Sequence, residues 1–262
     1  MADPINRRRA VALGGALALG GLAMAAPASA ATWQSRWSPE ASRDGLRAFE
    51  GVEDDRANSH PAGQPHIFVE GNNFRFNMHM VDRDSSTDRQ RQEVKGMRQP
   101  AGGSMLTLAK GETWRLAHQL FIPSTLRATT TFTHIMQLKM PGDGSSPIVV
   151  MSLRRNGSTP TIEVKVFGSN TLVGRVNLAP LQDKWIDTLL EFKIADGTGG
   201  SVRWAVNDGP TSVIDTRKSG VDTFLGDRVR PKWGIYRSLG DTSGSLRDCF
   251  MLTRAMRAFQ LV

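Results

Sequence analysis

The chain has 262 residues, Lys and Arg outnumber Asp and Glu by 33 to 25, and there is a single cysteine. One cysteine excludes an internal disulfide, and the positive excess points to an anionic partner: a polyanionic glycan, a membrane surface or nucleic acid. The scarcity of clustered basic residues after the N-terminus argues against nucleic acid.

The first thirty residues read as an export signal. Three arginines (Arg7, Arg8, Arg9) precede a Gly/Ala-rich apolar run, and the segment ends in Ala28-Ser29-Ala30. The run is too short to span a bilayer, and the adjacent arginines match a twin-arginine signal. Cleavage after Ala30 leaves residues 31–262 as one domain in the periplasm or outside the cell, with no membrane span. Losing three arginines and one aspartate from a net charge of +8 leaves +6.

The mature chain is a succession of short alternating segments broken by turn residues, the pattern of an all-β sandwich. "SPEASRDGLRAFE" predicts one short turn of helix, and "FRFNMHM" alternates Phe74, Phe76, Met78 and Met80 against Arg75, Asn77 and His79. "DRDSSTDRQRQE" puts Asp82, Asp84, Ser86 and Glu93 at ligand positions of a calcium loop, but Thr87 stands where that loop needs glycine. A solvated acidic turn is the reading. No cofactor is expected, a structural calcium ion having only this broken pattern behind it.

Further on, "IVVMSLRRNGSTPTIEVKVF" reads as a hairpin around Asn156-Gly157, and "WIDTLLEFKIADGTGGSVRWAVNDGP" gives a second strand pair. "PKWGIYRS" and "CFMLTRAMRAFQLV" close the chain as strands. Two packed antiparallel sheets of jelly-roll type follow. Cys249 falls within a strand, where a buried thiol is inert.

Period-two spacing collects polar side chains on common faces. Arg89, Arg91, Glu93 and Lys95 share one face of their strand. In "FTHIMQLKM", Gln137 and Lys139 point one way and His134, Met136 and Leu138 the other, which sends His134 to the core. Lys232, Gly234, Tyr236 and Ser238 share a face, and Tyr236 is the only tyrosine in the chain. If these strands are neighbours, one groove holds guanidinium, amide, ammonium and phenol, a set suited to a carboxylate-bearing sugar chain.

These three segments, in this order, resemble the strand motifs of jelly-roll alginate lyases. Those motifs are R-(S/T)-E-L-R, Q-I-H and Y-F-K-A-G-x-Y-x-Q. The matching stretches are Arg91-Gln92-Glu93-Val94-Lys95, Gln137-Leu138-Lys139 and Lys232 to Ser238. "THIMQLK" and "KWGIYRS" are also similar to the heparin-lyase-like group that includes glucuronan lyases. The resemblance runs from about Phe74 to the C-terminus. It implies a concanavalin-like sandwich and cleavage of a uronic-acid polymer by β-elimination, without a cofactor, in a monomeric enzyme. Lys139 replaces the histidine of Q-I-H and Ser238 the final glutamine, which favours a glucuronan-like substrate over alginate.

Elimination removes the proton on C5 beside a carboxylate and expels the group on C4, so donors around that carboxylate stabilise the enolate-like state. The resemblance implies a bidentate Arg91 fork, an amide donor in Gln137, and Tyr236 protonating the leaving oxygen. Tyr236 serves also as base where cationic neighbours favour its phenolate; otherwise His79, brought in from another strand, takes the proton. Arg89, Glu93, Lys139, Lys232, Arg237 and Ser238 complete the substrate-binding set. The rival from another class is a lectin-like binding module, which requires aromatic platforms in the groove and no phenol. His60, His66 and His118 show no metal-ligand spacing with one another.

Overall fold

The computed structural model describes residues 31–60, 64–142 and 144–262, and the export signal expected over residues 1–30 lies outside them. Two sheets form, with every strand pair antiparallel. The seven-stranded sheet runs β10 (Thr171–Asn177), β9 (Thr159–Val166), β8 (Pro147–Asn156), β7 (Thr133–Lys139), β14 (Arg230–Ser238), β5 (Arg89–Lys95) and β2 (Gly51–Glu53). The eight-stranded sheet runs β13 (Thr211–Val221), β12 (Gly200–Asp208), β11 (Trp185–Lys193), β6 (Thr113–Phe121), β15 (Cys249–Leu261), β4 (Asn73–Met78) and β3 (Ile67–Glu70), with β1 (Trp33–Trp37) paired to β15. This is the all-β jelly-roll sandwich expected from the strand pattern. The helical segment reduces to one turn of α-helix, Ala41–Asp44, followed by a turn of 3-10 helix.

Alternation explains the layers. Phe74, Phe76 and Met78 of β4, and Trp114, Leu116 and Leu120 of β6, bury one face of the eight-stranded sheet. Trp233, Ile235, Met136 and Leu138 do the same from the other sheet. Trp37 of β1 stacks on Trp233 of β14 with ring centroids 5.7 Å apart, so the two sheets meet through aromatic faces. A buried aromatic side chain contributes roughly 2–3 kcal/mol by removal of apolar surface from water, and these side chains hold the layers together.

The centre of the seven-stranded sheet departs from strict alternation. Tyr236 lies opposite His134 and Lys232 opposite Gln137, so five residues of β14 span the same stretch as four of β7. The surplus is accommodated at Gly234, whose φ is 136°, a value that excludes other residue types; a Cβ there would run into the carbonyl oxygen of Gln92. In β7 both Ile135 and Met136 turn to the core, and His134 and Gln137 therefore emerge on the same, outward face.

Candidate active site

β5, β14 and β7 are adjacent in the sheet, as the groove hypothesis requires, and their outward side chains floor a cavity of about 580 Å3. Six cationic side chains line it, Arg56, Arg89, Arg91, Lys139, Arg230 and Lys232, against the carboxylates of Glu53 and Asp84. Tyr236, His134 and Phe132 form one wall. Phe132 stacks on the His134 ring, centroids 4.9 Å apart, and the Tyr236 and His134 rings lie 5.9 Å apart.

Glu93 organises the floor. Fully buried, it accepts from Arg91 Nη1 at 2.5 Å and Gln137 Nε2 at 2.6 Å, and its Oε2 lies 2.7 Å from Lys232 Nζ. Arg91 Nε donates to Asp84 Oδ2 at 2.9 Å, and the guanidinium sits 3.7 Å from the centroid of the Tyr236 ring. The phenol oxygen accepts from Arg89 Nη1 at 2.9 Å. Lys232 also pairs with Glu53. Burial alone raises the Glu53 carboxyl, but the ammonium of Lys232, helped by Arg91 and Lys95, holds it down at about 2. Burial pushes the His134 imidazole down to about 4, and its Nδ1 shares a hydrogen bond with Ser152 Oγ at 2.7 Å. At neutral pH that ring is uncharged and able to accept a proton.

Lys139 and Arg230 have no carboxylate partner among the described residues. Lys139 Nζ donates only to neutral oxygens, Ser145 Oγ at 2.7 Å and the Gly142 carbonyl at 3.4 Å. Burial and then the nearby charges of Lys232, Arg91 and Arg230 lower its pKa. The buried Arg230 Nε has no hydrogen-bond partner. An anion entering here would meet two cations that no carboxylate among the described residues compensates.

Tyr236, Gln137, Arg91, Arg89, Glu93, Lys139 and Lys232 thus come together as the strand patterns predict. Four placements differ. His79 does not line the cavity. It follows β4 of the other sheet and packs against His60 and His66, ring centroids 4.4 and 5.2 Å away. His134 enters in its place, because the break in alternation at Ile135 turns outward a ring that period-two counting sends inward. Arg237 points between the sheets, with Nε on Gln90 Oε1 at 2.7 Å and Nη1 on Cys249 Sγ at 3.3 Å. The count that sends Tyr236 outward sends its neighbour inward, so this was readable beforehand. Ser238 is half-buried and accepts from Gly240 N at the strand end, outside the cavity lining. The Arg91 fork and the Gln137 amide are engaged by Asp84 and Glu93, leaving Lys139 and Arg230 as the cations open to a ligand.

The remaining features resolve simply. Of the acidic residues in the broken calcium pattern, Asp84 and Glu93 both meet Arg91, Glu93 also meets Lys232, and Asp82 faces the histidines. Cys249 is buried, and burial raises its thiol to about 11. None of the six tryptophans lines the cavity, whose aromatic residues are Phe132, Phe167 and Tyr236. Among the described residues no helix is long and apolar enough to cross a membrane.

No protein-family model matches the sequence, and no curated protein matches it. Solved structures do match in fold. The family 7 alginate lyase A1-II′ in complex with substrate is similar with a TM-score of 0.57 and 10% identity, over 85% of this chain and 97% of that one. Alginate lyase PA1167 from Pseudomonas aeruginosa gives a TM-score of 0.54 and 13% identity, over 81% and 98% of the two chains. The endo-beta-1,4-glucuronan lyase from the fungus Trichoderma reesei gives 0.47 and 15%, over 80% and 94%, a likeness too remote to bear on substrate. At these identities the shared property is the jelly-roll fold, and function rests on the side chains of the cavity.

Proposed function

We propose that the protein is a polysaccharide lyase that cleaves an acidic, uronate-containing glycan by β-elimination in the cavity over β5, β14 and β7. The observation that carries the reading is the wall of the cavity: a phenol and an uncharged imidazole side by side, above a floor with surplus cationic charge. In this mechanism the substrate carboxylate docks on Lys139 and Arg230, which withdraw charge from it and make the neighbouring C5 proton easier to remove. Tyr236 gives its proton to the departing C4 oxygen. Charge left on the phenol oxygen is met by Arg89, 2.9 Å away. His134 accepts the C5 proton for one configuration at that carbon, and Tyr236 performs both transfers for the other. Arg91, Gln137 and Glu93 hold the Tyr236 ring and the floor in position. The base role expected of His79 passes to His134 because only His134 opens into the cavity.

Two features disfavour other readings. Glycoside hydrolysis needs one carboxyl of raised pKa paired with a second carboxylate, and Glu53 is driven the opposite way by its cationic partners. A lectin of this architecture needs aromatic platforms, and the tryptophans lie elsewhere. Lys139 at the position of the motif histidine favours a glucuronan-like polymer over alginate. Export to the periplasm or exterior belongs to the same reading and rests on the pattern of residues 1–30.

The test is ultraviolet absorbance with glucuronan, alginate, heparin and polygalacturonate supplied separately. Elimination leaves a C4–C5 double bond conjugated to the carboxylate, which absorbs where the substrates do not. A rise with one polymer that vanishes in Tyr236→Phe, while binding persists, supports the reading. Tight binding to one of them with no rise in any makes the protein a lectin.

A further inference from the structure

Behind the cavity, on the opposite side of β5, three histidines converge on one aspartate. His60, His66, His79 and Asp82 come from three separate loop positions, and their ligand atoms all lie within 4.8 Å of one another. We propose that these four side chains form a closed, structural zinc site, a reading independent of the proposed lyase activity.

The distances suit the ion. Asp82 Oδ1 lies 3.1 Å from both His60 Nδ1 and His66 Nε2, and Asp82 Oδ2 lies 3.4 Å from His79 Nδ1. Ligand atoms of a tetrahedral zinc ion with bonds near 2.0–2.1 Å stand about 3.3 Å apart, so the two contacts to Oδ1 approach edges of such a tetrahedron, and all four ligand atoms lie within 4.8 Å of one another. Three imidazole nitrogens and one carboxylate oxygen match zinc, whereas calcium prefers six or more oxygens.

The hydrogen count points the same way. His66 Nδ1 lies 2.7 Å from Asp54 Oδ1 and its Nε2 faces Asp82. A neutral ring that gives its one N–H to Asp54 turns a lone pair, the metal-binding form, toward Asp82. A cation at Nε2 completes it, with Asp54 fixing the tautomer as an outer-shell partner. His79 Nδ1 is buried and has no hydrogen-bond partner among the described residues. Three nitrogens directed at a single carboxylate are hard to satisfy with protons alone.

The surroundings are built in advance. Gln90 Nε2 donates to the backbone carbonyls of His79, Met80 and Asp82 at 2.8, 3.1 and 2.9 Å. The His79 amide donates to Asp82 Oδ2 at 2.6 Å. This turn continues to Asp84, which holds Arg91 over Tyr236. The ion would therefore clamp the loop bearing His60 and His66 to the turn that positions the cavity floor.

The experiment uses the exported chain, purified without a histidine tag. Elemental analysis should find one zinc per chain. After chelation, zinc should raise the melting temperature by about 10 °C, the shift expected for a ligand well above its dissociation constant on a domain of this size. His60→Gln and His79→Gln, both at the partly exposed rim, should abolish that rise. Cobalt in place of zinc should give the intense visible bands of tetrahedral coordination in the unsubstituted chain, a readout that does not depend on how the variants fold. Absent cobalt bands, a melting temperature indifferent to zinc, or an equal rise in both variants would overturn the assignment.

Discussion

The outward faces of the two sheets carry the same kinds of charged side chain and arrange them differently. On the eight-stranded sheet, Glu191 gathers Arg115 at 2.8 Å, Arg203 at 3.6 Å and Arg217, while Arg203 pairs with Asp215 at 2.6 Å. There the pair Arg203–Asp215 is 30% and 46% exposed, whereas Lys232–Glu93 on the seven-stranded sheet is 3% and 0% exposed. Exposed pairs are screened by water, which leaves their interactions weak. Over β5, β14 and β7 the central ions are buried, the cations exceed the carboxylates among the described residues, and the only phenol of the chain is placed among them. Burial and imbalance, rather than the presence of charges, mark the face with chemistry.

The comparison breaks most easily at the phenol. Tyr236→Phe should lower the rate of double-bond formation by about 10²–10⁴-fold, the usual contribution of a positioned acid–base group, with binding unchanged. An unaffected rate would remove Tyr236 from the chemistry. Next in size is the buried floor. Glu93→Gln removes the fully buried carboxylate from between Lys232 and Arg91, leaving them only Glu53 and Asp84, and should cost about 3–5 kcal/mol in urea unfolding.

Two of the buried histidines, His134 of β7 and His118 of β6, sharpen the contrast through pH. Burial lowers both from 6.5 to about 4, so below pH 6.5 the unfolded chain binds protons that the native state refuses. Stability should be intact above pH 6.5 and fall as pH drops toward 4, by about 3 kcal/mol for each group. Replacing either by glutamine should remove about half of that acid loss in pH-dependent melting. Only His134→Gln should also slow elimination.

Smaller still, Lys139→Gln should lower kcat/KM about tenfold, equivalent to about 1.4 kcal/mol, and lessen the dependence of KM on salt. Smallest is Asp215→Asn on the solvated face, which should cost less than about 1 kcal/mol in the same urea measurement. If it matched Glu93→Gln, the distinction between the two faces would fail.

Much of the candidate site was legible in residue order. Arg91, Glu93, Lys232 and Tyr236 stand on strands that keep strict alternation along the β5–β14 pair, so counting by two places them on one face. His134 was not legible, because two consecutive apolar residues, Ile135 and Met136, both face the core and shift the phase of β7. Gly234, in the middle of a strand pattern, was the one local hint of a bulge beside it. Nor were the partners of Arg91 and Gln137 legible: Asp84 approaches from a preceding turn, and Glu93 reaches Gln137 across β14.

The sequence by itself determined the all-β class, the hairpins and the outward direction of Tyr236, since these follow from local periodicity and turn residues acting within a few positions of each other. Only the tertiary structure decided which histidine meets the phenol, and which three meet Asp82. Those juxtapositions depend on strand phase at a bulge and on loops joining different sheets, where groups far apart in the chain are held together by burial rather than by spacing.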